Sequence, residues 1–306
     1  MSARRIFEVI LGAAFWLAAT HLAAQDLPHR TFDVSTQATA DIAPTTNPDP
    51  TALLDTGFRH LYELNFQGAR QDFGIYQKQR PEDPLGKAAE AVSYLFEEFN
   101  DKGVLTSEFF LNDSRFLGGI SGSPAANRNA AFLEANNQAR ELAKKTVKSD
   151  PHDVEGLLAL TIADGLESDY DALVEKKHLE AIKLMHRAES GANATLAADS
   201  SAQDAYVALG VSNYVIGSLP EYKQVFLWMG GVHGNRARGI EQMRSAAEHG
   251  RYLRAFAKIM LALAYEREGK PGYARQLLTE LAAEFPNNPL FSRELALLDQ
   301  KPQNVK

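Results

Sequence analysis

The chain has 306 residues, 45% of them hydrophobic, no cysteine and a net charge of -7, with a mean hydropathy of -0.28. That composition suits one large folded domain or two ordinary ones, not a disordered or multi-spanning chain. It excludes disulfides, zinc-cysteine sites, thiol nucleophiles and a lipoprotein anchor, and the missing basic excess argues against a nucleic-acid partner.

Arg4 and Arg5 form a basic start, followed by an apolar stretch from Ile6 to Ala19 interrupted by Glu8, and then by small residues up to Ala24. This pattern predicts a signal peptide over residues 1–24, cut after Ala24, with Leu22 at the minus-three position. The alternative is an uncleaved anchor, for which the stretch falls short of the roughly 20 apolar residues of a span. Membrane contact is then expected only through this segment. Either reading sends the rest of the chain out of the cytoplasm, to the periplasm or cell envelope. Residues 25–48 are polar, rich in Thr, Ala and Pro, and predict a flexible linker. The folded domain is expected over 49–300, with a disordered tail at 301–306.

From Thr51 onward strong helix formers dominate, and apolar residues recur every three to four positions, as in Leu54, Phe58, Leu61 and Tyr62 or Phe256, Ile259, Met260 and Leu263. The predicted class is all-α. Helices are expected over about 50–80 as a first pair, then 84–101. An irregular stretch follows at 102–125, then helices near 127–149, 152–167, 171–189 and 199–217. A short one is expected near 220–229, and four more near 235–249, 251–268, 271–284 and 288–299.

One spacing recurs: a helical Ala followed twelve residues later by a Pro that is expected to open the next helix. The pairs are Ala69 and Pro81, Ala139 and Pro151, and Ala274 and Pro286. Small residues let paired helices approach, and a large apolar residue one turn on fills the gap. In the first unit Gly57 precedes Ala69 by twelve and Phe73 follows by four. In the last unit Ala262 and Leu278 take those places, and the middle unit is degenerate. This resembles the tetratricopeptide repeat, which implies antiparallel helix pairs stacked in an α-solenoid.

Residues 206–249 carry a helix ending in Gly217, then Pro220, a short apolar segment, and the corner Gly231, Gly234, Asn235, Arg236 and Gly239. This stretch looks like the family of tetratricopeptide repeat protein 39 and its yeast inclusion-clearance relative. That resemblance implies a repeat-based helical fold; the family has proposed adaptor roles and no established catalytic motif, but an exported chain shares its fold and not its intracellular biology.

Candidate chemistry is sparse. Gly119-Ile120-Ser121-Gly122-Ser123 lacks the final glycine and the preceding strand of a nucleophile elbow, so a loop is expected. His178 and His186 share a helix face but lack metal-ligand spacing. Glu167, Asp169 and Asp171 lack the glycine of a calcium loop and read as capping residues between two helices. At the glycine corner two readings stand. Gly231 and Gly234 turn the chain, at least one with positive φ, while Asn235 caps the next helix and Arg236 pairs with a carboxylate of an adjacent pair. Alternatively Arg236 and Arg238 hold an anion. Phe58, Leu61 and Tyr62 fall on the concave side of the first helix if the repeat register holds. There they either bind a partner or pack under residues 25–48 or against a neighbouring helix.

The expected function is exported, non-catalytic binding or scaffolding, with a protein or peptide partner, no nucleic acid, no metal and no cofactor. A small-molecule ligand is left open. The alternatives are an accessory subunit of a solute transporter and a helical enzyme whose residues converge only in space.

Overall fold

The computed structural model describes residues 49–220, 224, 227–228 and 232–300; the expected signal peptide, linker, tail and Gly231 lie outside them. All regular structure among the described residues is helical. In chain order the helices are α1 (Pro50–Tyr62), α2 (Phe66–Gln79), α3 (Pro84–Asp101), α4 (Ser107–Leu111), α5 (Asp113–Gly118), α6 (Ala126–Ser149) and α7 (Val154–Leu173). They continue as α8 (His178–Ala198), a 3-10 turn (Gln203–Ala205), α9 (Tyr206–Gly217), α10 (Arg236–His249), α11 (Arg254–Arg267), α12 (Pro271–Glu284) and α13 (Pro289–Gln300).

Helices adjacent in sequence pack as antiparallel neighbours: α1 with α2, α7 with α8, α9 with α10, and α11 with α12. Helix α3 pairs with α6, so the segment carrying α4 and α5 is an insertion within the second pair. Each pair stacks on the next, and α13 closes the series. Among the described residues this is a tetratricopeptide-like solenoid of five pairs and a final helix.

The repeat positions explain why the helices pair. A Cβ on Gly57 would lie 2.3 Å from the Phe73 ring, so glycine lets that ring lie flat on α1. Ala69, Ala139 and Ala274 are fully buried, as are Phe73 and Leu278 one turn further on. In the middle unit Ala143 takes that large-residue place and is also buried. A proline has no N–H and fixes its φ, which suits a turn.

The prolines do not open the next helix, as the spacing suggested. Pro81, Pro151 and Pro286 each sit in a turn, and the next helix starts three residues later, at Pro84, Val154 and Pro289. The residue before each proline accepts a backbone bond from the residue two after it: Asp83 to Arg80 at 3.2 Å, Asp153 to Asp150 at 3.1 Å, and Asn288 to Phe285 at 3.0 Å. That third residue then caps the coming helix through its side chain, to the N–H of Leu85, Gly156 and Leu290 at 2.9, 2.7 and 2.9 Å. Proline, a spacer, then Asp or Asn is therefore the physical repeat unit: the turn and the N-cap come together.

Two boundaries differ from expectation. Helix α7 runs to Leu173, so Glu167, Asp169 and Asp171 lie inside it rather than in a capping loop. The break falls at residues 174–177, where Lys176 has φ +59°. The stretch 102–125 is partly helical, capped at α4 by Thr106 and at α5 by Asn112.

Replacing Ala69 or Ala274 with Leu forces extra methylenes between paired helices. Each variant is expected to lose about 1–3 kcal/mol, read as a lower urea midpoint with an unchanged slope.

Candidate functional site

The face of α1 expected to be concave and open is filled by the chain's own last repeat. Phe58 and Tyr62 are each 6% exposed and Leu61 only 1%. Phe58 stacks on Tyr252 with centroids 5.2 Å apart, and Tyr62 meets Phe285 at 5.5 Å. The Tyr62 hydroxyl donates to the Tyr252 carbonyl at 2.9 Å, and the Asn288 amide donates to the Tyr62 carbonyl at 2.8 Å. Burial holds the Tyr62 phenol protonated well above its ordinary range. At the rim Arg251 makes a two-point pair with Asp55, at 2.9 and 2.8 Å. These three apolar residues are core in this structure. The binding role considered for them is corrected to core packing: Phe58 lies on Tyr252 just before α11, Tyr62 on Phe285 just after α12, and Leu61 is buried.

The glycine corner belongs to α9 and α10. A Cβ on Gly234 would lie 2.3 Å from the Gly217 nitrogen, one on Gly239 2.6 Å from the Tyr214 nitrogen, and one on Gly210 2.8 Å from the Met243 nitrogen. Backbone meets backbone along the whole crossing. Gly234 does not have positive φ, so its requirement is close approach and not handedness. Asn235 caps α10, accepting from the Arg238 N–H at 3.0 Å. Arg236 pairs with Glu268 of the next helix pair at 3.3 Å, and Glu268 also accepts from the Tyr214 hydroxyl at 3.3 Å. The carboxylate partner expected for Arg236 is present.

Beside that ion pair lies a recess of about 440 Å³ lined by Asn235, Arg236, Ala237, Ile240, Glu268 and Lys270. Two exposed aromatic side chains lie in the C-terminal part of the chain, Trp228 between α9 and α10 and Tyr273 on α12. Trp228 is 64% exposed and leans on His233, with centroids 6.3 Å apart. Tyr273 is 59% exposed and tilts on Tyr265 at 5.1 Å. The recess, with Arg236, Glu268 and Lys270 in its lining, is the candidate site. Sequence reading singled out Arg236 but not Glu268, Lys270, Trp228 or Tyr273. Of these only Trp228 left a signal, as a tryptophan beside the glycines.

The other candidates resolve as structure. In the Gly118–Ser123 segment Ile120 is buried and its N–H donates to the Leu173 carbonyl at 2.8 Å, so the loop caps the end of α7. Its Gly119 has φ +65° and sits so close to Leu173 that a Cβ would lie 2.2 Å from the carbonyl oxygen. His186 contacts Glu189 at 3.1 Å on its own helix. Among the described residues no group of three metal-type ligands converges. Buried charges elsewhere join helices. Glu98 accepts from the Ala125 N–H and Arg128, tying α3 to the start of α6. Asp164 receives Arg140 at 2.9 Å and Arg187 at 2.8 Å, tying α6, α7 and α8 together. Asp204 accepts the N–H groups of Arg251, Tyr252 and Leu253 at 2.9, 3.2 and 2.9 Å, which fixes the approach to α11.

Gly234→Val is expected to lower the melting temperature far more than Arg236→Lys. The first drives α9 and α10 apart, while the second keeps a cation beside Glu268; a thermal melt of both variants checks the order. A second expectation concerns Asp169. Burial pushes its carboxyl up from 3.8 to about 7, so the folded state holds a proton that the unfolded chain releases. Stability from this residue is full below pH 4 and is lost as pH rises through 7. Asp169→Asn should match the parent at pH 4 and exceed it at pH 8, measured by urea unfolding at both values.

No known protein family matches the chain, and no curated protein does either. Among solved structures, a thermophilic TPR protein of Thermus thermophilus is similar, at 15% identity with a TM-score of 0.44. The alignment covers 82% of this chain and 98% of that one.

Proposed function

We propose that this is an exported, non-catalytic binding or scaffold protein of the periplasm or cell envelope that recognises a protein or peptide partner. The observation that carries the reading is a stack of helix pairs with two exposed aromatic side chains among the described residues of its C-terminal part, Trp228 between α9 and α10 and Tyr273 on α12. Large aromatic surfaces fixed on rigid elements are typical anchors for protein partners. Packed helix pairs also present broad surfaces from side chains that need little ordering on binding. The basic, then apolar, then small-residue start of the sequence supports export. A net charge of -7 weighs against nucleic acid.

The test places a photo-crosslinking amino acid at Trp228, at Tyr273 and, as a control, at exposed Ile75 on α2. After irradiation of intact cells, one discrete protein adduct from the first two positions and none from the control is expected. N-terminal sequencing of the same material should begin at Gln25. Adducts spread equally over all three positions, or none at any, would overturn the binding reading. Met1 retained on membrane-bound protein would overturn cleavage.

A further inference from the structure

We propose that residues 105–119, which carry α4 and α5, form a strap that opens as one unit while the helix pairs stay folded, and that it governs access to Glu294 of α13 and to the end of α11.

The second pair forms without this segment, because α3 packs on α6 directly. The base of the loop is also closed independently of what lies beyond it. Lys102 donates to the Ser123 carbonyl at 2.8 Å, and Glu98 accepts from the Ala125 N–H at 3.2 Å. The Val104 N–H finishes α3 by donating to the Phe99 carbonyl at 2.8 Å, and Ile120 is fixed to Leu173. Between those two ends only Ser107 and Phe109 are buried. Several contacts of the segment are internal. Phe109, Phe110 and Phe116 form a ring cluster with centroids 5.4, 6.4 and 5.9 Å apart, and Arg115 pairs with Glu108 at 2.9 Å. A loop with close ends, packed by its own side chains, can move without losing those contacts.

Two polar contacts close the strap over the far end of the stack. Arg267, at the end of α11, donates to the Phe110 carbonyl at 3.4 Å and pairs with Asp113, whose side chain is largely exposed. Solvent and salt weaken such a pair. The second contact is the Ser107 hydroxyl on Glu294. Glu98, Asp164, Asp204 and Glu294 are all buried, at 4, 4, 6 and 7% exposed. The first three each meet cations or backbone N–H groups. Glu294 has the Ser107 hydroxyl alone, and its second oxygen has no partner among the described residues. A buried carboxyl that is half satisfied costs free energy, which water returns on opening. The closed strap thus carries a penalty at its own anchor that Glu98, Asp164 and Asp204 do not impose on the joints they make.

The chain has no cysteine, so one introduced thiol reports its own position. Ser107→Cys places it under the strap, and Ser93→Cys places it at a fully buried site on α3; each is carried on the full chain. With a small thiol reagent and no urea, position 107 should react about tenfold faster than position 93, or more. Low urea should hardly change the first rate and should raise the second steeply, since opening exposes little surface and global unfolding exposes much. Adding Arg267→Ala should speed reaction at 107 about three- to fivefold. The anchor is read with Ser107 intact, by cleavage after Phe109, Phe110 or Phe116 with a chymotrypsin-type protease. On the unmodified chain that cleavage should show the same weak urea dependence. Glu294→Met keeps the side-chain length, removes the carboxyl and should slow the cleavage several-fold. Equal rates at 107 and 93 with one urea dependence, or cleavage that tracks global unfolding, would overturn the strap. Faster cleavage in Glu294→Met would overturn the strained anchor, because the carboxyl would then be holding the segment shut.

Discussion

A helix pair cannot bury both of its faces by itself, and the first pair of this protein solves that problem with the last. Phe58 and Tyr62 of α1 are covered by Tyr252 and Phe285, and the backbone groups around them are satisfied across the same contact. Everything between is strung from α2 to α10 so that these two ends meet. Removing water from four aromatic rings at one junction is a large favourable term. The polar bonds there matter mainly because leaving the Tyr62 hydroxyl or the Asn288 amide unpaired would be costly. The contact therefore joins the two ends of the stack, and the main hydrophobic cluster among the described residues runs from Leu53 to Leu298.

That closure also decides which surface is left for recognition. In an open solenoid the first helix of each pair faces a shared concave wall. Here the α1 part of that wall is occupied, and among the described residues the exposed aromatics Trp228 and Tyr273 lie in the α9–α12 part of the chain. The glycines at the α9–α10 crossing contribute rigidity rather than flexibility. With backbone against backbone at Gly210, Gly217, Gly234 and Gly239, neither helix has room to rock. The cap residue Asn235 and the pair Arg236–Glu268 are thus held at fixed positions beside the recess.

Much of this fold was legible in the sequence. The small residues at Gly57, Ala69, Ala139 and Ala274 are constrained by helix approach, a local requirement that leaves a mark at fixed spacing. The carboxylate partner of Arg236 followed from the cost of a cation at a helix start. The proline turns were found at the right positions but with the wrong role. Spacing locates a proline, whereas the cap at Asp83, Asp153 and Asn288 depends on the residue type two places on. The fate of Phe58, Leu61 and Tyr62 was not legible, because apolar periodicity reports that a face is buried and not what buries it. Their partners lie about two hundred residues away. Glu167, Asp169 and Asp171 misled for a related reason. Three acids at alternate positions look like a loop, yet tertiary contacts with α6 and α8 carry α7 through them.

The separation between the two ends has a kinetic meaning. The bond from Tyr62 to Tyr252 spans 190 residues and that from Asn288 to Tyr62 spans 226. Interior pairs such as α7 with α8 can form from neighbouring segments as soon as each is free. The closing contact has to wait for the final repeat, and the entropy of joining such distant points is lost only at that last step. Until then α1 carries an uncovered aromatic face. For a chain emerging amino end first, whether from a ribosome or across a membrane, that face is the part most exposed to wrong associations. The order of synthesis and the order of assembly are opposed at this one junction.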